Sequence, residues 1–265
     1  MDSMRRFAVP AVAVLLLASC GGASSHQAAT TTTVATTPVS APSFATARAR
    51  TTGAGPVDFK QLIEAHVGGG TVTAEENGTV SFTERRAHLY KQIPGSPVPE
   101  ELVLLGPFIY ANANIQAALS DPSVKPWTKL DTRRLTAKQR RTRPDELAHV
   151  VAPVYLADGV AAPRRSGREA NGTTRFTGVV DPARLARRVP PSIRTSIATA
   201  VANDYAAKPF PATFWLDDQG RIRRVRVDYR TPQGSRIIID TSYSGFGSKI
   251  DVTLPAAGDI ADVSP

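Results

Sequence analysis

The stretch ATFWLDDQGRIRRVRVDYRTPQGSRIIIDTSY, residues 212–243, contains the strand pattern from which the fold class follows. It contains three runs in which apolar and polar residues alternate, separated by the turn sequences Asp218-Gln219-Gly220 and Pro232-Gln233-Gly234. A period of two is typical of strands that bury one face, and strands joined by such short turns must be antiparallel neighbours. The stretch therefore predicts three adjacent antiparallel strands with one apolar face and one polar face.

The apolar face of these strands leaves two interpretations open. Alternating apolar positions on strands usually belong to an ordinary core, which helices would pack here. The alternative is that sheet and helices close incompletely and leave an apolar cavity, the usual form of a small-molecule site. The residues predicted to line such a cavity are Phe82, Phe214, Val225, Val227, Tyr229, Ile237 and Ile239.

Two patterns before this stretch predict a helix followed by a hairpin. Apolar residues recur at helical spacing over Val57–His66, which predicts a short amphipathic helix that ends at Gly68-Gly69-Gly70. Asn77-Gly78 is flanked by alternating residues, and both of its positions accept positive φ. The pair therefore predicts a tight turn between strands at residues 71–76 and 79–85.

The rest of the chain combines short strands with helical segments. Helices are predicted from Asp145 to Leu156, from Asp181 up to Pro190-Pro191, and from Ser192 to Ala207. Further strands are predicted at Glu101–Leu105, Phe108–Asn112, Trp127–Asp131, Arg164–Ala170, Thr173–Val180 and Lys249–Leu254. The predicted fold class is therefore α+β, a large antiparallel sheet with helices gathered on one face.

Cys20, the only cysteine, follows a segment with the features of an export signal. Arg5-Arg6 precede the apolar run Phe7–Leu17, which is too short to span a bilayer. Leu17-Ala18-Ser19-Cys20 resembles the bacterial lipobox, in which the chain is cut before a cysteine that carries a diacylglyceryl group. The pattern predicts a signal peptide over residues 1–19, lipid attachment at Cys20, and a lipid-anchored position on the extracytoplasmic face of the cell membrane. The alternative, an ordinary signal peptide that happens to contain a cysteine, leaves a single thiol without a disulfide partner.

Residues 20–55 are predicted to form a tether between the lipidated cysteine and the domain. Thr, Ala, Ser and Pro dominate this segment, Phe44 is its only aromatic residue, and no apolar period occurs. Such a composition cannot bury enough surface to offset the loss of chain entropy, so the segment is expected to be disordered. The folded domain is therefore expected to occupy residues 56–265.

The sequence shows no pattern of catalytic or metal-binding residues. His26, His66, His88 and His149 are scattered, without the paired spacing of a zinc site. No nucleophile elbow, phosphate-binding loop or dinucleotide-binding loop occurs. The formal charge of +9 would suit nucleic acid, but an exported chain does not meet it. We therefore expect no enzyme activity, no cofactor, no metal and no nucleic-acid partner.

Three parts of the chain carry a resemblance to a known family. They are Phe108–Asn112 with Lys125–Asp131, Gly167–Phe176 leading to Val180-Asp181, and Phe214–Val225 with the closing segments Tyr243–Gly247 and Ile250–Pro255. Together they resemble the actinobacterial lipid-binding lipoproteins of the LppX/LprG type, over most of residues 57–262. The resemblance implies a LolA-like half-barrel, a large curved antiparallel sheet with helices covering its concave face and room for acyl chains between them. It also implies a role in moving or presenting lipids and glycolipids in the cell envelope.

The sequence therefore predicts a lipid-anchored, non-enzymatic protein whose domain binds a lipid, a glycolipid or another amphiphile in a hydrophobic cavity. We expect a monomer that is attached to the membrane through its lipidated N-terminus and has a membrane transporter as protein partner. The alternative is an interaction module with a filled core, which regulates a membrane protein or cell-wall machinery. Arginine clusters such as Arg133-Arg134 and Arg140-Arg141 give that module its basic surface.

Overall fold

Twelve strands of the described chain form one open sheet. The computed structural model describes residues 43–67, 69–92, 98–136, 138–139, 146–205, 208–231 and 234–265. The strands are β1 (Val57–Val67), β2 (Gly70–Ser81), β3 (Arg86–Gln92), β4 (Glu100–Leu105), β5 (Phe108–Ala111), β6 (Trp127–Asp131), β7 (Arg164–Arg168), β8 (Thr174–Val180), β9 (Phe210–Leu216), β10 (Ile222–Arg230), β11 (Arg236–Ser244) and β12 (Ile260–Asp262). Their order across the sheet is β12-β6-β5-β4-β3-β2-β1-β11-β10-β9-β8-β7, so the sheet does not close into a barrel.

Two meanders meet at the centre of this sheet. Strands β1 to β6 follow one another as neighbours, β7 to β11 do the same, and β1 pairs with β11. These pairs are antiparallel, and the chain reverses at Gly106-Pro107 and at Asn171-Gly172, in the gaps between the strands that the sequence predicts. Strand β12 instead runs parallel to β6, with Ile260 opposite Trp127. The predicted antiparallel sheet is thus confirmed apart from one short edge strand.

Five α-helices accompany the sheet within the described residues. They are α1 (Ala47–Thr52), α2 (Ile115–Ser120), α3 (Glu146–Gly159), α4 (Pro182–Arg188) and α5 (Arg194–Asp204). Helix α3 packs against α1, α4 and α5 and lies over β8 and β10. Its buried residues Val150 and Val154 share one hydrophobic core with Phe214 and Val227 of the sheet. The predicted α+β class is confirmed, and the three predicted helical segments correspond to α3, α4 and α5.

The helix predicted at Val57–His66 is wrong, because this segment is β1. The strand pairs with β2 along one side and with β11 along the other, so it gains hydrogen bonds at both edges. Phe59 and Ile63 alternate with outward-facing residues and pack in the core. Gln61 occupies the inward position between them, and this polar residue conceals the period of two in the sequence.

The hairpin predicted at Asn77-Gly78 is also wrong, because both residues lie inside β2. Gly78 has a φ of 154°, and a Cβ atom at this position would collide with the backbone of His88 on β3. Gly78 is therefore needed because β2 and β3 approach each other closely at this position. The chain instead reverses between β2 and β3, where Arg85 has a φ of 29°. The strand predicted at Lys249–Leu254 is wrong as well, since these residues form no strand.

A segment in front of β1 folds onto the domain. A short 3-10 turn that contains Phe44 leads into α1. The Phe44 ring centroid lies 5.4 Å from that of Phe176 and 5.1 Å from that of Phe214. The backbone N–H of Ile222 donates a 2.8 Å hydrogen bond to the buried Thr51 hydroxyl of α1. Both contacts join the segment to strands that lie far away in the sequence.

The boundary predicted at residue 56 is therefore too late, and the folded domain includes residues from Ser43 onward. The composition of the segment predicts disorder, but one buried aromatic ring and a short helix supply enough packing to hold it. The predicted signal peptide, Cys20 and the tether up to residue 42 lie outside the described residues.

Candidate functional site

The residues predicted to line a cavity come together beneath the helices. We call the face of the sheet that the helices cover the inner face. Six of the seven lie on the inner face of β9, β10 and β11, and the Phe82 ring, after β2, lies 6.2 Å from that of Tyr243. Phe214, Val225, Val227, Tyr229 and Ile239 are buried, and Phe82 and Ile237 pack at the margin of the same core. Their role as ligand contacts stays a prediction.

The inner face extends beyond the area that the helices bury most deeply. On β1 and β2 the inward side chains of Ile63, Ala65 and Ala74 are half-buried, and Val72 is 54% exposed. The register places Ile63 opposite Ala74 and Ala65 opposite Val72, so the four side chains form one surface. Ile63 also stands opposite buried Ile239 of β11, which makes this surface continuous with the core. We call these four residues the open strip.

A row of polar residues crosses the inner face beside the open strip. Thr241 stands opposite Gln61, Gln61 opposite Glu76, Glu76 opposite Lys91, and Lys91 opposite Glu100. Residues that face each other across strands have Cβ atoms about 4.5–5.5 Å apart, so neighbours in this row are within reach of one another. The adjacent inward positions are apolar on both sides: Phe59, Leu89 and Leu102 on one, and Ile63 and Ala74 on the other.

Three members of the row are buried, and two of them contact His149 of α3. The Thr241 hydroxyl donates to Gln61 Oε1 over 2.8 Å, and Gln61 Nε2 lies 3.3 Å from His149 Nε2. Glu76 Oε2 lies 3.3 Å from the same histidine nitrogen. Thr241, Gln61 and Glu76 are only 0%, 1% and 3% exposed. We call these four residues the polar cluster, and it joins α3 to the centre of the sheet in surroundings where an unmet hydrogen bond is costly.

One buried acceptor of the polar cluster has no donor in the described structure. If His149 Nε2 carries no proton, it accepts a hydrogen bond from the Gln61 amide. If it carries a proton, it donates a hydrogen bond to Glu76, and it cannot do both at once. Thr241 holds Gln61 Oε1, which leaves the Gln61 nitrogen directed at the histidine. Glu76 Oε1 is buried and has no hydrogen-bond partner in the described structure. Glu76 Oε1 can therefore accept a hydrogen bond from a donor outside the cluster.

Tyr243 is a second buried polar group on the inner face. It lies two positions along β11 from Thr241 and opposite Phe59 of β1. Its hydroxyl has no partner within the described residues. Burial raises the pKa of Tyr243 well above the usual range of a phenol, because the phenolate would lose its hydration. The group therefore stays neutral and keeps its proton as a potential donor.

The outer face of the same strands carries a polar groove of about 670 Å³. The Trp215 indole lies in it and donates to Glu169 Oε1 over 2.6 Å. Arg224 stacks over the Trp215 ring at 4.7 Å and donates two hydrogen bonds, of 2.7 and 2.6 Å, to Asp240. The polar face that the alternation predicts is thus present and is built largely from mutually paired charges.

The three histidines of the described chain occupy different surroundings. His66 Nδ1 lies 3.0 Å from the Thr71 hydroxyl, and His88 Nε2 lies 2.7 Å from Glu101 Oε1. Among the residues that the structure describes, no group of His, Cys, Asp and Glu could hold a metal ion. None of the helices in the described ranges has both the length and the apolar character needed to cross a membrane.

The row of polar residues on the inner face is hard to recognise from the sequence, because local patterns suggest other roles for its members. Glu76 precedes Asn77-Gly78, a pair that predicts a turn, and acidic residues are ordinary in turns. The useful signal is the presence of Gln61 and Thr241 at inward positions of otherwise apolar alternations. It becomes visible only when the strand register is known.

Comparisons with known proteins find likeness in fold. No family model and no curated protein matches the sequence. Among solved structures the chain is similar to LprF from Mycobacterium bovis, at 16% identity and a TM-score of 0.46, over 82% of this chain and 100% of that chain. It is also similar to a LolA superfamily protein, NE2245 from Nitrosomonas europaea, at 10% identity and a TM-score of 0.32, over 75% of this chain and 89% of that one. Both are similarities of fold alone.

Proposed function

We propose that this protein is a lipid-anchored binding protein that holds the apolar part of an amphiphile against the inner face of its sheet. The observation that carries the proposal is the open strip, which leaves apolar surface partly exposed and continuous with the core. Burying apolar surface contributes about 25 cal/mol per Å², so an acyl chain on the open strip would be stabilised by contact with it.

We further propose that Cys20 carries the anchor and that the domain works at the extracytoplasmic face of the cell membrane. The lipobox-like sequence that ends at Cys20 supports this assignment. Each buried methylene of an acyl chain contributes about 0.8 kcal/mol, and stable attachment needs two chains or a second signal. The chain between Cys20 and Ser43 would then leave the domain close to the membrane from which an amphiphile is taken.

A binding titration tests the proposal. The chain from residue 20 onward, with Cys20→Ala to prevent lipidation, is stripped of bound lipid and titrated with the methyl ester of cis-parinaric acid, whose fluorescence rises in apolar surroundings. We expect saturable binding that an unlabelled fatty-acid methyl ester displaces. Val72→Asp should abolish it, because the substitution places a charge in the open strip.

Val179→Asp is the matched control, since Val179 is 56% exposed and lies on the outer face of β8. This variant should bind the probe as the wild type does. A wild type without saturable binding, or equal losses in the two variants, contradicts the proposal.

A second function is favoured by the groove on the outer face. Arg223 stacks over the Phe246 ring at 5.2 Å and lines the groove, where it could meet an anionic partner. We therefore keep an interaction module, which regulates a membrane protein or cell-wall machinery, as the alternative. Cross-linking in intact cells distinguishes the two: a partner lost in Arg223→Glu and kept in Val72→Asp favours the module.

A further inference from the structure

A buried carboxylate oxygen without a hydrogen-bond partner requires a donor. Glu76 is 3% exposed, and its Oε1 has no partner in the part of the chain that the structure describes. Its other oxygen competes with the Gln61 amide for His149 Nε2, which lies 3.3 Å from each. Leaving such an acceptor unmet in the folded state is unfavourable, so a group that supplies a donor binds with an advantage there.

The polar cluster adjoins the inner end of the open strip. On β2 the inward positions run from Val72 through Ala74 to Glu76, and on β1 they run from Ala65 through Ile63 to Gln61. The two series are paired residue by residue, so the apolar surface ends at Glu76 and Gln61 together. A ligand whose acyl chain covers the open strip therefore reaches the polar cluster at the inner end of the strip.

The charges around Glu76 offset each other. Lys91 stands opposite Glu76 on β3, so a charged head group of either sign meets one like and one opposite charge and loses its hydration without a net electrostatic gain. A hydroxyl group brings a donor without a charge that must lose its hydration. An uncharged, hydroxyl-bearing end fits this site best.

Building on the proposed function, we propose that the polar cluster recognises the hydroxyl group of an uncharged amphiphile, with Glu76 Oε1 accepting its hydrogen bond. The site then distinguishes ligands by their polar ends, while the open strip holds their chains. His149 contributes from α3, so a bound hydroxyl also lies at the contact between helix and sheet.

Three probes that share one pyrene-labelled acyl chain test this assignment: the glycerol monoester, the methyl ester and the free acid. The Cys20→Ala chain from residue 20 onward should bind the glycerol ester about tenfold more tightly than the methyl ester, the factor expected for one hydrogen bond to a charged acceptor. It should also prefer the glycerol ester to the free acid. In Glu76→Leu the two esters should bind equally, with the affinity for the methyl ester kept.

Two further variants complete the experiment. Glu76→Gln keeps the size of the side chain and a neutral acceptor, so the preference for the glycerol ester should fall to about threefold. Glu75→Leu is the matched control, because Glu75 pairs with Lys60 at 2.7 Å on the outer face. Its preference for the glycerol ester should equal that of the wild type. Circular dichroism establishes that each variant is folded.

The outcomes separate this inference from the proposed function. Equal binding of the two esters by the wild type overturns the role of the polar cluster and leaves amphiphile binding intact. A preference for the glycerol ester that survives both Glu76→Leu and Glu76→Gln also overturns it. If the wild type binds none of the three probes, the proposed function itself is refuted.

Discussion

Removal of the segment in front of β1 should take away a large part of the stability of the domain. The comparison is between chains that begin at Ser43 and at Pro56, together with Phe44→Ala in the longer chain. Phe44 is 9% exposed and contacts the rings of Phe176 and Phe214. Truncation of a buried phenylalanine to alanine costs about 3–5 kcal/mol, a large share of the roughly 5–15 kcal/mol that stabilises a typical domain.

Urea denaturation followed by tryptophan fluorescence measures the effect. With an m-value of about 2–3 kcal/mol/M, the Phe44→Ala midpoint should fall by roughly 1–2 M. The chain from Pro56 should fall at least as far, because it also loses the hydrogen bond from Ile222 to Thr51. Phe108→Ala is the control and should shift the midpoint less, since the Phe108 ring is only half-buried. A Pro56 chain as stable as the Ser43 chain would show that the segment in front of β1 does not stabilise the domain.

Three further changes test other parts of the molecule. Cys20→Ala should abolish incorporation of a fatty-acid label and release the chain from the membrane fraction, whereas label retained by this variant contradicts the anchor. Val227→Trp should lower the free energy of unfolding by about 1–3 kcal/mol, because Val227 is 1% exposed and added bulk strains a packed core. An unchanged urea midpoint would instead indicate free volume beside Val227. Arg133→Ala should raise the pKa of Asp131 from about 2 toward the usual carboxyl range, because the side-chain hydrogen bond from Arg133 is the main cause of the low value. The ionised Asp131 that pairs with Arg133 stabilises the folded state fully above the unfolded-state pKa of about 3.9, and this contribution is lost as the pH falls through about 2. The stability of Arg133→Ala should therefore depend less on pH than that of the wild type between about pH 4 and pH 2. Carboxyl NMR titration and acid unfolding measure the two effects.

The C-terminal strands could be predicted because their signals are local. Alternation over β9, β10 and β11 identifies one buried face, and the glycines at 220 and 234 mark turns that fix the pairing of neighbouring strands. The position of Asp181 before Pro182 also marks the start of α4, where the Asp181 side chain accepts a hydrogen bond from Ala183 N. Such features depend on only a few consecutive residues.

The features that could not be predicted depend on residues far apart in the chain. Gln61 interrupts the alternation of β1, and its partners Thr241 and Glu76 become visible only in the assembled sheet. The packing of Phe44 likewise depends on strands more than a hundred residues away. The polar cluster combines three strands and one helix, so no local pattern contains it.

The pairing of β1 with β11, which we call the seam between the two meanders, sets the order in which the sheet can assemble. Gln61 and Thr241 meet across it although they are 180 residues apart in the chain. Loop-closure entropy grows as the logarithm of loop length, so closing this contact costs about 2.5 kcal/mol more than closing a ten-residue hairpin. The two meanders should therefore form first as separate folding units, and their docking along the seam should be the slow step. Folding kinetics would then depend more on the seam than on any single hairpin, and substitutions in the seam should slow refolding most.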